Sequence, residues 1–143
     1  MPAIKPILYI GIDPGTMTGL AEIVDGQYRL ITQMNIIRAM NHIRITHELD
    51  IWDIKLHVEN PNMRSYFGNS GREKLQGAGS IKRDYAIWVE FAKEYNIAIF
   101  PIAPAQIGSQ FDNVSIFEAA TGYSKKCGKH ARDAAKIIFK FKK

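Results

Sequence analysis

The chain has little cysteine and no long apolar run. Its single cysteine, Cys127, cannot form an internal disulfide, and without a triad motif it is interpreted as a spectator rather than a nucleophile. No apolar stretch approaches the ~20 residues that a membrane helix needs, and the first residues lack the profile of a secretory signal. These absences predict one globular domain over residues 1–143, located in the cytosol, with no membrane partner.

Acidic residues are outnumbered, with 14 Asp and Glu against 19 Lys and Arg. Between Ser124 and Lys143 the only acid is Asp133, among the basic residues Lys125, Lys126, Lys129, Arg132, Lys136, Lys140, Lys142 and Lys143. A second basic group consists of Arg64, Arg72, Lys74, Lys82 and Arg83. Lysines on a helix are often only a solvated face, but one acid within so basic a run favours a polyanionic partner.

Hydrophobic periodicity and turn residues predict an α/β fold. Strands are expected at Ile7–Ile10, Leu20–Val24, Gln27–Ile37, Ile54–Val58 and Ile97–Ile102, with an Asp25-Gly26 hairpin between the second and third. Helices are expected at Arg38–Asp50, Ser80–Tyr95, Asp112–Thr121 and Lys129–Phe141, and a glycine-rich loop at Asn62–Gly79. This order predicts a five-stranded mixed sheet with helices on both faces.

Two carboxylates follow short apolar strands. Asp13 lies in the run from Ile10 to Gly19, between the first two strands, and Glu59 ends the fourth strand. If the first and fourth strands are neighbours, both acids meet at one edge of the sheet, where their repulsion favours a bound cation. Mg²⁺ is the natural occupant because it prefers a few carboxylates together with water and phosphate oxygens.

A third acid, Asp133, lies three residues after His130 in the last helix. Residues three apart on a helix are separated by only ~60° around its axis, so both side chains can reach one site. Small residues at Ala131 and Ala134 allow this helix to approach the sheet closely. The alternative is that His130 is merely exposed and Asp133 pairs with Lys129 or Lys136.

Three acids and a histidine in a basic chain suit phosphodiester hydrolysis with two metal ions. In this hypothesis Asp13 bridges the ions, one of which activates water while the other stabilises the leaving oxygen. His130 is either a metal ligand or a general acid or base, and the sequence does not separate these roles.

At this point the chain resembles the RuvC family of Holliday-junction resolvases, within the ribonuclease H-like superfamily. The resemblance rests on the runs Ile10–Thr16 with Thr18-Gly19, Val58–Asn60 and His130–Ala134. It implies a ribonuclease H-like fold whose first three strands are antiparallel. It also implies a homodimer that cuts four-way DNA junctions by paired symmetrical nicks with Mg²⁺ or Mn²⁺. The family's catalytic, metal-binding positions fall on Asp13, Glu59, His130 and Asp133.

The chain is shorter than the cellular members and has a lysine run directly after the last helix, which resembles the compact phage-type members. The lysines that bacterial members carry after the fifth strand are missing, and Lys125, Lys126 or Lys129 are expected to replace them at the DNA. The family's base-stacking aromatic corresponds to Tyr66 or Phe67, which otherwise pack under their own loop.

Three rival functions remain open. An ATPase of the actin or Hsp70 type shares a motif like Gly11–Thr16, but it needs two such domains. Another possibility is a junction-binding protein with a decayed site, against which the retained acids argue. The last is a related nuclease that cuts flaps or RNA·DNA hybrids, which only substrate tests distinguish.

Overall fold

A computed structural model describes residues 4–61, 72–103 and 113–143, without the side chains of residues 72–81. The strands are β1 (Ile7–Asp13), β2 (Met17–Val24), β3 (Gln27–Asn35), β4 (Asp53–Glu59) and β5 (Ala98–Ile102). The helices are α1 (Ile36–Glu48), α2 (Arg72–Glu94), α3 (Val114–Thr121) and α4 (Lys129–Ile137), followed by a short 3₁₀ helix (Phe139–Phe141). In this part of the chain no helix is both long and apolar enough to cross a membrane.

The described strands form one five-stranded sheet in the order β3-β2-β1-β4-β5. Strands β1, β2 and β3 pair antiparallel through tight turns, while β4 and β5 join parallel to β1 and to each other. The predicted mixed sheet is therefore confirmed, and so is the adjacency of the first and fourth strands. Ile12 pairs with Val58 in the β1–β4 register, so Asp13 and Glu59 occupy the next position on neighbouring strands.

Helices cover both faces of the sheet. Successive residues of a strand point to opposite sides, so each strand contributes side chains to both layers. Leu8, Ile10 and Ile12 of β1 face α1 and α2 and belong to a core that includes Trp88. The opposite face packs against α3 and α4, where Phe117 and three alanines of α4 are buried: Ala131, Ala134 and Ala135. The alternation places Asp13 and Glu59 on this second face, beneath α4.

Helix α4 lies directly on the backbone of β1 and β2. A Cβ atom added to Gly19 would lie 1.9 Å from the carbonyl oxygen of His130, and one added to Gly11 would lie 2.3 Å from that of Ala134. Any side chain at these two positions would push the helix away from the sheet. The contact therefore depends on glycine in the strands and alanine in the helix.

Several element boundaries differ from the sequence prediction, two of them by more than three residues. Residues 72–79 were expected in the glycine-rich loop, but α2 begins at Arg72, so this part of the prediction is wrong. The good helix formers Arg72, Glu73, Lys74, Leu75 and Gln76 outweigh the glycines that follow them. The last helix was expected to continue to Phe141, but α4 ends at Ile137 because Ile138 has φ −111° and ψ 10° and the chain continues as a 3₁₀ turn.

We expect Gly19→Ala to destabilise the protein more than Gly122→Ala. Gly122 has φ +72°, and a Cβ atom added there would have nothing within 4 Å, so alanine costs only the strained backbone, about 1 kcal/mol. At Gly19 the methyl group would collide with α4, which predicts a loss of roughly 2–4 kcal/mol. Urea denaturation measures both. A smaller loss for Gly19→Ala than for Gly122→Ala would contradict the close helix–sheet contact.

Candidate active site

Asp13 and His130 form a direct pair at the carboxyl end of β1. The Asp13 side chain is 14% exposed, and its Oδ2 lies 3.0 Å from Nδ1 of His130, which is 49% exposed. The strand delivers the carboxylate, and the first turn of α4 delivers the imidazole. Since Nδ1 is engaged, Nε2 is the ring nitrogen that remains for a second partner.

The surroundings of Asp13 are unfavourable to its negative charge. Burial raises the pKa of the Asp13 carboxyl above its usual range, and the nearby charge of Asp133 raises it further. The hydrogen bond and charge of His130, together with Lys129, lower this pKa without cancelling the rise. A desolvated carboxylate with a like charge beside it is an environment that a cation would relieve.

Asp133 is held by two lysines of its own helix. Its Oδ2 accepts from Nζ of Lys129 at 3.0 Å, and its Oδ1 lies 3.3 Å from Nζ of Lys136. The sequence alternative, in which Asp133 pairs with Lys129 or Lys136, is therefore present in the structure. Asp133 is nevertheless also near Asp13, because its charge raises the pKa of the Asp13 carboxyl.

Glu59 ends β4 on the strand next to Asp13. Asn60 follows it and donates its backbone N–H to the carbonyl oxygen of Ile102 at 2.9 Å, which fixes the end of the strand against β5. The side chain of Glu59 is partly buried. Across residues 4–61, 82–103 and 113–143, however, no three His, Cys, Asp or Glu side chains converge into a ready metal-binding group.

The predicted site residues thus form two subsets. Asp13 and His130 are in contact, and Asp133 is near enough to act on Asp13, whereas Glu59 shares their sheet edge by register. The donors present are carboxylate oxygens and one imidazole nitrogen, a set that suits a hard divalent cation. The raised pKa of Asp13 agrees with that fit.

The predicted DNA-binding residues fall into three groups. Lys125, Lys126 and Lys129 are exposed, and the segment that leads into α4 brings them beside the His130 end of the helix. Lys82 and Arg83 are exposed on α2. Arg72 and Lys74 lie in α2, but their side chains fall outside the described residues, as do Arg64, Tyr66 and Phe67 altogether.

A groove runs between α3 and the segment that precedes α4. Lys125, Lys126 and Arg132 line it together with Phe117 and Glu118. Arg132 has a fixed orientation because its Nη1 donates to the carbonyl oxygen of Cys127 at 2.8 Å. The groove therefore places positive side chains along the segment that leads into α4.

The burial of two charged residues, Lys136 and Glu22, was not predicted from the sequence. Lys136 was predicted only as a member of the basic run and a possible partner of Asp133, yet its side chain is 3% exposed. Its spacing of three residues from Asp133 was the available signal. Glu22 was passed over and is fully buried, where Arg29 Nε at 2.9 Å and His42 Nε2 at 3.0 Å contact its two oxygens. These partners give Glu22 a structural role in joining β2 to β3 and α1.

Comparison with known proteins gives structural matches only. No protein-family model matches the chain, and no curated protein sequence does. The solved structure of Thermus thermophilus RuvC in complex with a Holliday junction substrate matches with a TM-score of 0.61 and 16% identity, covering 93% of this chain and 90% of that one. A Thermus thermophilus RuvC structure matches with a TM-score of 0.55 and 17% identity, covering 93% and 92%. The chain therefore has the RuvC-like, ribonuclease H-like fold that its sequence resemblance implies.

Proposed function

We propose that this protein is a divalent-metal-dependent endonuclease that cuts branched DNA, with four-way junctions as its principal substrate. The observation that carries the proposal is the partly buried Asp13–His130 pair, with Asp133 beside it and a lysine-rich approach. The RuvC fold supports it, since one matching structure holds a Holliday junction. A fold by itself does not specify a function, so the charged groups of the site are the stronger support.

Asp13 and Glu59 would hold the metal, with His130 and Asp133 close to it. When bound, Mg²⁺ or Mn²⁺ would activate water and stabilise the charge that develops on the scissile phosphate. The contact with Asp13 holds the imidazole of His130 in one position. From there His130 either ligates the metal or transfers a proton at the reacting phosphate.

The exposed lysines before and at the start of α4 provide the affinity for DNA. Lys125, Lys126 and Lys129 are exposed close in sequence to His130 and would contact phosphates of the junction arms. Lys82 and Arg83 on α2 belong to the second basic group and would contact another stretch of backbone. Paired symmetrical nicks require two active sites, so the active species proposed here is a homodimer acting on DNA in the cytoplasm.

We predict that Asp13→Asn abolishes junction cleavage, with a rate loss of at least about 10²-fold, because the central carboxylate is lost. The assay compares a synthetic four-way junction, a linear duplex, a flap and an RNA·DNA hybrid, with and without Mg²⁺. Wild-type protein should nick the junction in a paired, Mg²⁺-dependent manner.

The matched control for this assay is Asp53→Asn. Asp53 is exposed at the start of β4, at the opposite end of the strand from Glu59, and its substitution should leave the rate unchanged. Preferential cleavage of the hybrid or flap would support the related-nuclease alternative. Unchanged junction cleavage by Asp13→Asn would refute the site.

A second prediction concerns DNA affinity. Lys125→Ala combined with Lys126→Ala should weaken junction binding several-fold near 0.1 M salt. The slope of log K against the logarithm of the salt concentration should become shallower by roughly one or two. Lys93→Ala is the control, because Lys93 is exposed near the end of α2, the helix that covers the opposite face. Gel-shift or anisotropy titrations at several salt concentrations measure the slope. An identical slope for the double variant and for Lys93→Ala would contradict the proposed phosphate contacts.

The third prediction concerns pH and the metal-free protein. The pKa of Asp13 is higher in the folded state than in the unfolded state, so ionisation of Asp13 opposes folding. Asp13 therefore does not destabilise the fold at low pH, where it is protonated in both states. The protein loses stability as the pH rises through the folded-state pKa. Asp13→Asn should therefore melt at a higher temperature than wild type near pH 7 in EDTA. The difference should shrink toward pH 4, and Asp53→Asn should show no such trend. A Tm difference that grows on acidification would exclude the proposed repulsion at Asp13.

A further inference from the structure

Lys136 is a buried cation within the candidate active site. Its side chain is 3% exposed, whereas that of Lys129, which contacts the same carboxylate, is 74% exposed. Burying an ammonium group is costly unless an anion accompanies it. The contact of 3.3 Å between Lys136 Nζ and Asp133 Oδ1 supplies that anion. One oxygen of Asp133 is therefore held by a fixed charge, and the other by an exposed one that solvent and ions can replace.

The position of Lys136 follows from the spacing of α4. His130, Asp133 and Lys136 recur every three residues, so each successive side chain is rotated by only ~60° from the last. The three side chains form a row beside the face of α4 that meets the sheet, where Ala131, Ala134 and Ala135 are fully buried. The helix thereby places an imidazole, a carboxylate and an ammonium in order along one line.

The charges of the site balance best with a single divalent ion. Asp13, Glu59 and Asp133 carry three negative charges when ionised, Lys136 contributes one buried positive charge and Lys129 contributes one exposed positive charge. One divalent ion then leaves a surplus of one positive charge, that of the exposed Lys129, while two ions would leave a surplus of three. The described carboxylates agree with this count, since Asp133 is paired with lysines rather than gathered with Asp13 and Glu59 into one group.

We propose that Lys136 takes the electrostatic place of a second metal ion beside Asp133, so that the site binds one divalent cation, at Asp13 and Glu59. This inference rests on the proposed metal dependence and replaces the two ions expected from the sequence resemblance. Lys136 is then a positioning residue that neutralises Asp133 and holds it at the edge of the site.

The test counts Mn²⁺ ions bound by the DNA-free protein, using the EPR signal of free Mn²⁺ during a titration. Wild-type protein should bind one ion per chain. Lys136→Met should bind two, because Asp133 is released from its buried partner and the exposed Lys129 yields to a divalent ion. Lys136→Arg keeps the charge and should bind one. Lys129→Met is the matched control, since it removes the exposed partner of the same carboxylate, and it should also bind one.

Several outcomes would overturn the inference. Wild-type or Lys136→Arg protein that binds two ions would do so, as would folded Lys136→Met that still binds one, with circular dichroism confirming the fold. If Lys136→Met does not fold, the counts for wild type and Lys136→Arg decide the question. Because no DNA is present, one bound ion without junction cleavage would count against the proposed substrate alone. A wild-type chain that binds no Mn²⁺ would overturn both proposals.

Discussion

The site depends on how closely α4 can approach the sheet. Gly11 and Gly19 leave the backbones of β1 and β2 bare where the carbonyl groups of Ala134 and His130 pass over them. If α4 stood one side-chain layer further away, the imidazole of His130 could not reach Asp13. The 3.0 Å contact between them is thus a consequence of two glycines that have no chemistry of their own. Steric constraints in the strand backbone position the functional groups of the helix.

The protein buries acids in two different ways. Glu22 is fully enclosed, and each of its oxygens contacts a basic side chain, Arg29 or His42. Asp13 has one half-exposed imidazole as its hydrogen-bond partner and a neighbouring acid, and burial raises the pKa of its carboxyl. The first arrangement is electrostatically complete and joins three elements of the fold. The second arrangement leaves the negative charge of Asp13 incompletely compensated at the edge of the sheet. This is the environment expected of a carboxylate that binds a cation.

Periodicity and turn chemistry were enough to predict most of the architecture. The Asp25-Gly26 turn identified the β2–β3 hairpin, and the spacing of His130 and Asp133 predicted that both side chains reach one site. What they could not predict was which lysine is buried, because Lys129 and Lys136 are equivalent as partners of Asp133 until the helix is docked. The start of α2 was missed for a similar reason, since glycines in a helical segment are tolerated when the remaining residues favour the helix.

The turn between β1 and β2 also bears on the nucleotide-binding alternative. A phosphate loop of that kind needs turn amides and hydroxyls that face the ligand. Thr18 is fully buried, and its hydroxyl donates to the carbonyl oxygen of Gly15 at 2.7 Å, so it serves the turn itself. The polar groups at this sheet edge are the carboxylates of β1 and β4 together with an imidazole, a carboxylate and lysines of α4. This set suits a phosphodiester held between a cation and basic side chains better than a nucleoside triphosphate cradled by backbone amides. Helix α4, more than the first motif, therefore favours the proposed nuclease over an ATPase.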